Sequence, residues 1–117
     1  VKQPLSPPVK SGMLWPYRSW KDRVAVWNFV KDIPLSEKHP SYETLKAIEA
    51  GLLELAEKPI QLLWGAKDFC FSLHFLKRWQ SIFPKAEVVR YEKAGHYVLE
   101  DGGRPAWLRI ADFLSGK

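Results

Sequence analysis

The sequence has little cysteine, no long hydrophobic run and no block of basic residues. Its single cysteine, Cys70, excludes a disulfide framework and a cysteine-based zinc site within one chain, and it favours a reducing, cytoplasmic location. No apolar run approaches the roughly 20 residues that a membrane span needs. Lysine and arginine alternate with acids, so the net charge of +5 does not predict nucleic-acid binding.

The rest of the composition is that of one globular domain. The chain has 117 residues, of which 46% are hydrophobic and 26% charged. Six Trp, six Phe and four Tyr are a heavy aromatic load. These rings predict either an aromatic core or a surface that faces a pocket or a partner.

The first half of the chain predicts helices. Ser19 is expected to cap a helix, with Asp22 three residues later in the position that Glu usually holds. Trp20 and Trp27 lie on one face of this helix and are interpreted as core residues. The stretch 39–59 predicts a second helix. Its apolar stripe, expected to be buried, is Leu45, Ile48, Leu52 and Leu55.

The second half alternates strands and helices. The short apolar run 60–64 and the stretch 86–91 predict strands. A helix between them is expected to begin after Ser72 and to end at Pro84, and a last helix is expected from about Pro105. The order strand, helix, strand is typical of a βαβ unit, so the predicted fold class is α/β with at least two parallel strands.

Two residues that could carry chemistry follow these strands. Asp68 lies four residues after Trp64, and His96 lies five residues after Tyr91. Ligands and catalytic groups in open α/β sheets lie beyond the carboxyl ends of the strands, so both loops should meet at one sheet edge. A carboxylate that accepts the imidazole N–H would fix the tautomer of a general base. The alternatives are a structural histidine and an aspartate that caps a turn.

The other candidate groups are weaker. His39 and His74 lack metal-ligand spacing with a cysteine or a carboxylate, so neither a metal site nor a cofactor is predicted. Cys70 could be an active-site thiol, with Cys70 or Asp68 as an unconventional nucleophile beside His96. The favoured interpretation of Cys70 is a small buried side chain.

Three segments resemble a known family. "KPIQLLWGAKDFCF" and "FPKAEVVRYEKAGHYVLED" resemble the last two strand–loop units of the α/β-hydrolase superfamily, in particular its haloalkane-dehalogenase-like branch. That branch includes the β-lactone decarboxylases of bacterial olefin biosynthesis. "GMLWPYRSWKDRVAVWNFVKDIPL" resembles the segment where the cap domain of that branch returns to the main domain.

The resemblance implies a role for both loop residues. His96 matches the general base that activates water to open an acyl- or alkyl-enzyme ester, and Asp68 matches the triad acid. Some members carry that acid one strand earlier, which leaves a residue outside this chain as the alternative. The family's nucleophile elbow, G-x-S-x-G or the form with Asp, is absent from this sequence, as is its "HG" oxyanion motif.

The resemblance therefore implies the C-terminal portion of a longer hydrolase, with residues 1–34 from the end of a cap and residues 35–117 from the core. Such a chain would carry an acid and a base without a nucleophile and would be inactive alone. Its expected partners are the missing N-terminal half or further copies of itself, and the complete enzyme would take an apolar small molecule. The alternative is a standalone oligomeric interaction module that reuses this piece of the fold.

Overall fold

The structure, a computed structural model, describes residues 1–2 and 4–116. The chain forms two units. Leu5–Glu54 is helical, and the unit made of Val1–Pro4 and Leu55–Lys117 contains the sheet.

The helical unit contains three α-helices, α1 (Pro7–Leu14), α2 (Val24–Lys31) and α3 (Tyr42–Gly51). Two prolines open α1, where a missing N–H costs no hydrogen bond. Short 3-10 turns at Trp15–Tyr17 and Lys21–Arg23 lead into α2.

The predicted cap at Ser19 is present. The Ser19 N–H donates to Asp22 Oδ2 at 2.8 Å, and the Asp22 N–H donates to Ser19 Oγ at 3.4 Å. The hydrogen bond from the Ser19 backbone has the largest effect on the exposed Asp22 carboxyl and lowers its pKa. The bond from the Ser19 side chain lowers the pKa further. A 3-10 turn follows this pair of hydrogen bonds, so the α-helix itself begins at Val24, later than the cap suggests.

The predicted burial in the helical unit is wrong. Trp20 is 82% exposed and Trp27 is 62% exposed, and no described residue of Leu5–Glu54 is buried. Helix α3 ends at Gly51 and tightens into a 3-10 turn over Leu52–Leu55. Its stripe is likewise exposed, except for the half-buried Leu52. Apolar spacing identifies one face of a helix, but it does not supply the partner that covers that face.

The sheet unit confirms the α/β class. Strands β1 (Gln61–Gly65) and β2 (Glu87–Tyr91) pair in parallel, and helix α4 (Leu73–Ile82) connects them. Helix α5 (Val98–Leu114) follows and packs on β1. Within the described residues the sheet has only these two strands, so each strand has one unpaired edge.

A small core lies in the sheet unit. Leu76 of α4 and Phe83 directly after this helix are buried, and Trp79 is half-buried with its ring stacked on Phe83 at 5.9 Å. Ala94 and Ala106 are also buried. Ser72 occupies the expected N-cap position of α4, but its side chain makes no capping hydrogen bond.

Helix α5 is broken near its start. Gly103 has φ of 56° and ψ of −149°, which interrupts the helix between a first turn at Val98 and the segment that contains Pro105. The expected start near Pro105 therefore holds for the second segment, and the turn before it was not predicted. Among the described residues, no helix has both the length and the apolar character that crossing a membrane requires.

Candidate active site

Asp68 and His96 meet at the edge of the sheet. His96 Nδ1 lies 3.1 Å from Asp68 Oδ2 and 3.2 Å from Asp68 Oδ1. An ionised carboxylate only accepts hydrogen bonds, so this pairing assigns the proton of a neutral imidazole to Nδ1. No described residue forms a hydrogen bond to the other ring nitrogen, Nε2.

Parallel pairing of the strands brings the two loops together. The register ends with Gly65 opposite Tyr91, so both loops leave the sheet at the same level. The Ala66 N–H donates to the Tyr91 carbonyl at 3.0 Å, and the Lys67 N–H donates to the Ala94 carbonyl at 2.9 Å. These bonds extend the ladder beyond the strands and set the distance between the loops.

Gly65 allows this close approach. A Cβ at this position would lie 2.2 Å from the Gly95 carbonyl oxygen and 2.9 Å from the Ala94 carbonyl oxygen. Both are backbone atoms, so neither could move aside as a side chain could. A side chain at residue 65 would separate the Asp68 loop from the His96 loop.

The surroundings of Asp68 favour its ionised form. Burial, with the side chain only 9% exposed, opposes ionisation. The N–H groups of Phe71 and Cys70 donate to Oδ1 at 3.0 and 2.8 Å, and His96 adds a third bond. These bonds together outweigh desolvation and lower the pKa of the carboxyl below its ordinary value.

Aromatic rings surround the imidazole. Phe71 stacks on His96 with ring centroids 5.5 Å apart, Phe69 lies at 5.9 Å, and Tyr97 meets the ring edge-on at 5.6 Å. The indole N–H of Trp64 donates to the Phe71 carbonyl at 2.9 Å and holds the segment in place. The histidine side chain remains 35% exposed, so it faces an opening and is not sealed in a core.

A depression of about 300 Å³ opens onto the pair. Its polar lining includes Asp68 and His96, and its apolar lining includes Leu63, Phe71 and Val98. An apolar depression with a few convergent polar groups is the usual form of a small-molecule site.

Comparison with known proteins identifies the family of this chain. The sequence pattern of the α/β hydrolase fold matches residues 4–103. The chain belongs to the α/β-hydrolase family. Within this family it is 34% identical over 114 residues, 97% of its length, to the cis-3-alkyl-4-alkyloxetan-2-one decarboxylase of Shewanella oneidensis. It is 38% identical over 93 residues, 80% of its length, to the enzyme of that name from Xanthomonas campestris pv. campestris.

The match covers only part of each relative. It spans 36% of the Shewanella protein and 31% of the Xanthomonas protein. This α/β-hydrolase chain thus corresponds to about one third of the length of the curated relatives it matches.

Cys70 differs from its favoured interpretation. It is an exposed free cysteine and not a small buried side chain. Its backbone N–H nevertheless supports the acid. A role for its thiol as a nucleophile stays a prediction.

The other two histidines lie apart from the pair. His39 Nε2 lies 3.4 Å from Asp32 Oδ1 in the helical unit, and the His74 ring contacts Phe75 edge-on at 6.0 Å. Across residues 1–2 and 4–116, no three His, Cys, Asp or Glu side chains gather in a geometry that could hold a metal. That this chain needs no metal or cofactor remains a prediction.

Sequence reasoning missed one acid of this site. Asp101 accepts the Gly95 N–H at Oδ2, at 2.8 Å, directly before His96 in the chain. The available signal was an acidic pair, Glu100 and Asp101, in the first turn of the helix that follows the histidine loop.

Proposed function

We propose that this chain carries the acid and base of an α/β-hydrolase active site, with Asp68 as the triad acid and His96 as the general base. The observation that carries the proposal is the contact of both Asp68 carboxylate oxygens with His96 Nδ1 at 3.1–3.2 Å, at the carboxyl ends of two parallel strands. A carboxylate on Nδ1 leaves Nε2 directed toward the reaction, as a triad requires.

The chemistry of the pair follows from its charges. Asp68, ionised because its pKa is lowered, stabilises the imidazolium that forms when Nε2 accepts a proton. The proton comes from a water molecule whose oxygen attacks the carbon of an enzyme-bound ester. The ester C–O bond then breaks, the imidazolium returns its proton to the departing oxygen, and the enzyme is regenerated with product released.

We further propose a strained lactone or an ester with alkyl substituents as the substrate class. The relatives are named for an oxetan-2-one, a four-membered lactone, with alkyl groups on two ring carbons. Loss of CO2 from such a ring breaks one C–O and one C–C bond and leaves an alkene. Apolar walls formed by Leu63, Phe71 and Val98 beside His96 suit a neutral substrate of this kind.

The nucleophile is proposed to come from outside these 117 residues. No G-x-S-x-G or G-x-D-x-G elbow occurs in the sequence, and the chain matches only about one third of its relatives' length. In this proposal residues 1–34 belong to a cap and residues 35–117 to the core. The chain alone is inactive, since a base without a nucleophile or an oxyanion hole loses most of the catalytic machinery.

Complementation tests this function. The chain is assayed alone and after co-expression with the part of the Shewanella relative that it does not span, using a cis-dialkyl oxetanone, a p-nitrophenyl ester and a haloalkane. We expect activity only from the combination. His96→Ala should lower kcat by roughly 10³-fold or more, whereas His74→Ala, another histidine of the same unit, should not.

Two outcomes contradict the proposal in different ways. An active combination that is indifferent to His96→Ala removes the base assignment. Turnover by the chain alone that depends on His96 removes the claim of inactivity and directs attention to Cys70 as a local nucleophile.

A further inference from the structure

Asp101 is an acid near the histidine that the proposed triad does not use. It lies in the first turn of α5, and its two carboxylate oxygens accept different backbone N–H groups. Oδ2 accepts from Gly95 at 2.8 Å, and Oδ1 accepts from Lys2 at 2.6 Å. The first contact is to the residue that precedes His96.

Gly95 is held from both sides. Its N–H is bound by Asp101, and its carbonyl oxygen lies so close to Gly65 that a Cβ there would approach it to 2.2 Å. Gly95 itself is buried. The Lys67 N–H also binds the preceding carbonyl, that of Ala94, at 2.9 Å. The peptide that carries His96 is therefore fixed between the β1 loop and α5.

The carboxylate that holds this peptide is itself fixed. The Asp101 N–H donates to the Tyr97 carbonyl at 3.0 Å, which closes the first turn of α5 around the histidine loop. Hydrogen bonds from an N–H to a carboxylate are shorter and stronger than bonds between neutral groups. A site held on a helix is also more precise than one held on a loop alone.

We infer that Asp101 is a positioning residue for the base, holding the Gly95–His96 peptide so that the imidazole keeps its contact with Asp68. The inference rests on the proposed function of His96. Proton transfer depends on placement to within about 1 Å, and a misplacement of that size can cost on the order of 10²-fold in rate.

Glu100 provides a control that distinguishes this positioning role from a merely electrostatic effect on the helix. Acids in the first turn of a helix stabilise its positive end wherever their side chains point. Glu100 is exposed, carries the same charge and occupies the same turn. Glu100→Ala therefore removes the helix-end effect and leaves the Gly95 contact in place.

The test uses the 117-residue chain and needs no activity. Amide hydrogen exchange of Gly95 and the NMR shifts of the His96 ring protons, which lie in the ring current of Phe71, are measured in the wild type and in three variants. In Asp101→Ala we expect the Gly95 amide to exchange at least about 10-fold faster and the His96 shifts to move toward those of an unstructured peptide. Asp101→Asn, which keeps an acceptor oxygen, should restore both, and Glu100→Ala should change neither.

Wild-type exchange alone can overturn the inference. If the Gly95 amide exchanges as fast as an unprotected amide, the contact does not form in solution, even where Asp101→Ala fails to fold. Asp101→Ala signals identical to those of Glu100→Ala would also overturn it.

A kinetic arm separates this inference from the proposed function. In the co-expressed complex, Asp101→Ala should lower kcat by roughly 10- to 100-fold with KM unchanged. If His96→Ala has no effect there while the NMR effects persist, the proposed function fails and the contact stands. If His96→Ala abolishes turnover but Asp101→Ala does not lower kcat, the positioning role fails alone.

Discussion

At the scale of single residues, Asp68 combines a structural role with the chemical role proposed for it. Asp68 Oδ1, which lies 3.2 Å from His96 Nδ1, also accepts the N–H groups of Cys70 and Phe71, which closes the turn after β1. The turn therefore fixes the Asp68 carboxylate, and the carboxylate orients the His96 ring. Loss of this carboxylate should affect stability as well as catalysis.

Asp68→Asn should destabilise the sheet unit by about 1–3 kcal/mol at neutral pH, because bonds to a buried charge are replaced by weaker ones. The native pKa lies below the ordinary value of 3.8, so the unfolded chain binds this proton more readily than the native chain does. The stabilisation is therefore complete above 3.8 and is lost as the pH falls through the lower native value.

Urea unfolding at about pH 6 and pH 3 measures this effect. The gap in stability between the wild type and Asp68→Asn should narrow in acid. Asp112→Asn, a change of the same chemistry at an exposed position of α5, should show little gap at either pH. If the difference in stability between the wild type and Asp68→Asn stays constant or increases in acid, the carboxylate is not ionised in the way the structure indicates.

The Asp68–His96 pair could be predicted, whereas the role of Asp101 could not. Two predicted strands joined by a helix imply parallel pairing, and parallel strands place their following loops at one edge. That argument needs no side-chain detail. The Asp101 contact depends on how the loop after β2 folds back onto the first turn of α5, and no hydrophobic period encodes such a turn.

At the scale of elements, the junction of β1 and the histidine loop depends on the absence of a side chain at Gly65. Gly65→Ala should displace the Gly95 carbonyl and cost roughly 1–3 kcal/mol, because backbone atoms must move to admit the methyl group. Gly12→Ala is the matched control, since nothing lies within 4 Å of a Cβ there. It lies inside α1 and should stabilise that helix by roughly 0.5–1 kcal/mol.

Thermal unfolding followed by circular dichroism measures both changes, and they should have opposite signs. NMR shifts of His96 should move in Gly65→Ala and not in Gly12→Ala. Equal stability of Gly65→Ala and the wild type would mean that the two loops do not approach as closely as the structure has them.

Helix boundaries show where local patterns stop being sufficient. The predicted start of the last helix near Pro105 matches its second segment, but Gly103 interrupts an α5 that already begins at Val98. The turn before the break forms nevertheless, since it closes around the histidine loop through Asp101. Tertiary contacts of a site thus create a helical turn that propensity does not favour.

At the scale of the whole molecule, exposed apolar side chains dominate the helical unit. A depression of about 510 Å³ there is lined by Trp20, Val24 and Trp27 together with Lys21 and Arg23. The Arg23 guanidinium lies 5.8 Å from the Trp20 ring centre, and Lys31 Nζ lies 6.0 Å from that of Trp27. Monomeric proteins seldom expose apolar patches of this kind without a partner.

The chain on its own should therefore self-associate. Light scattering after size exclusion should give a mass above the 13.6 kDa of one chain, increasing with concentration. The double variant Trp20→Ser and Trp27→Ser should shift this mass toward 13.6 kDa, because it removes the most exposed rings of the patch. Lys10→Ser with Lys38→Ser, a pair of exposed polar positions in the same unit, should leave it unchanged.

Co-expression with the unspanned part of the Shewanella relative should replace this association with a one-to-one complex, if the exposed rings normally pack against the rest of a hydrolase. If the chain is instead a standalone interaction module, we expect the opposite, because its homo-oligomer would persist in the presence of the co-expressed part of the Shewanella relative. A monodisperse 13.6 kDa species at every concentration would contradict both the self-association and the standalone oligomer. The aromatic surface would then be stable in contact with solvent alone.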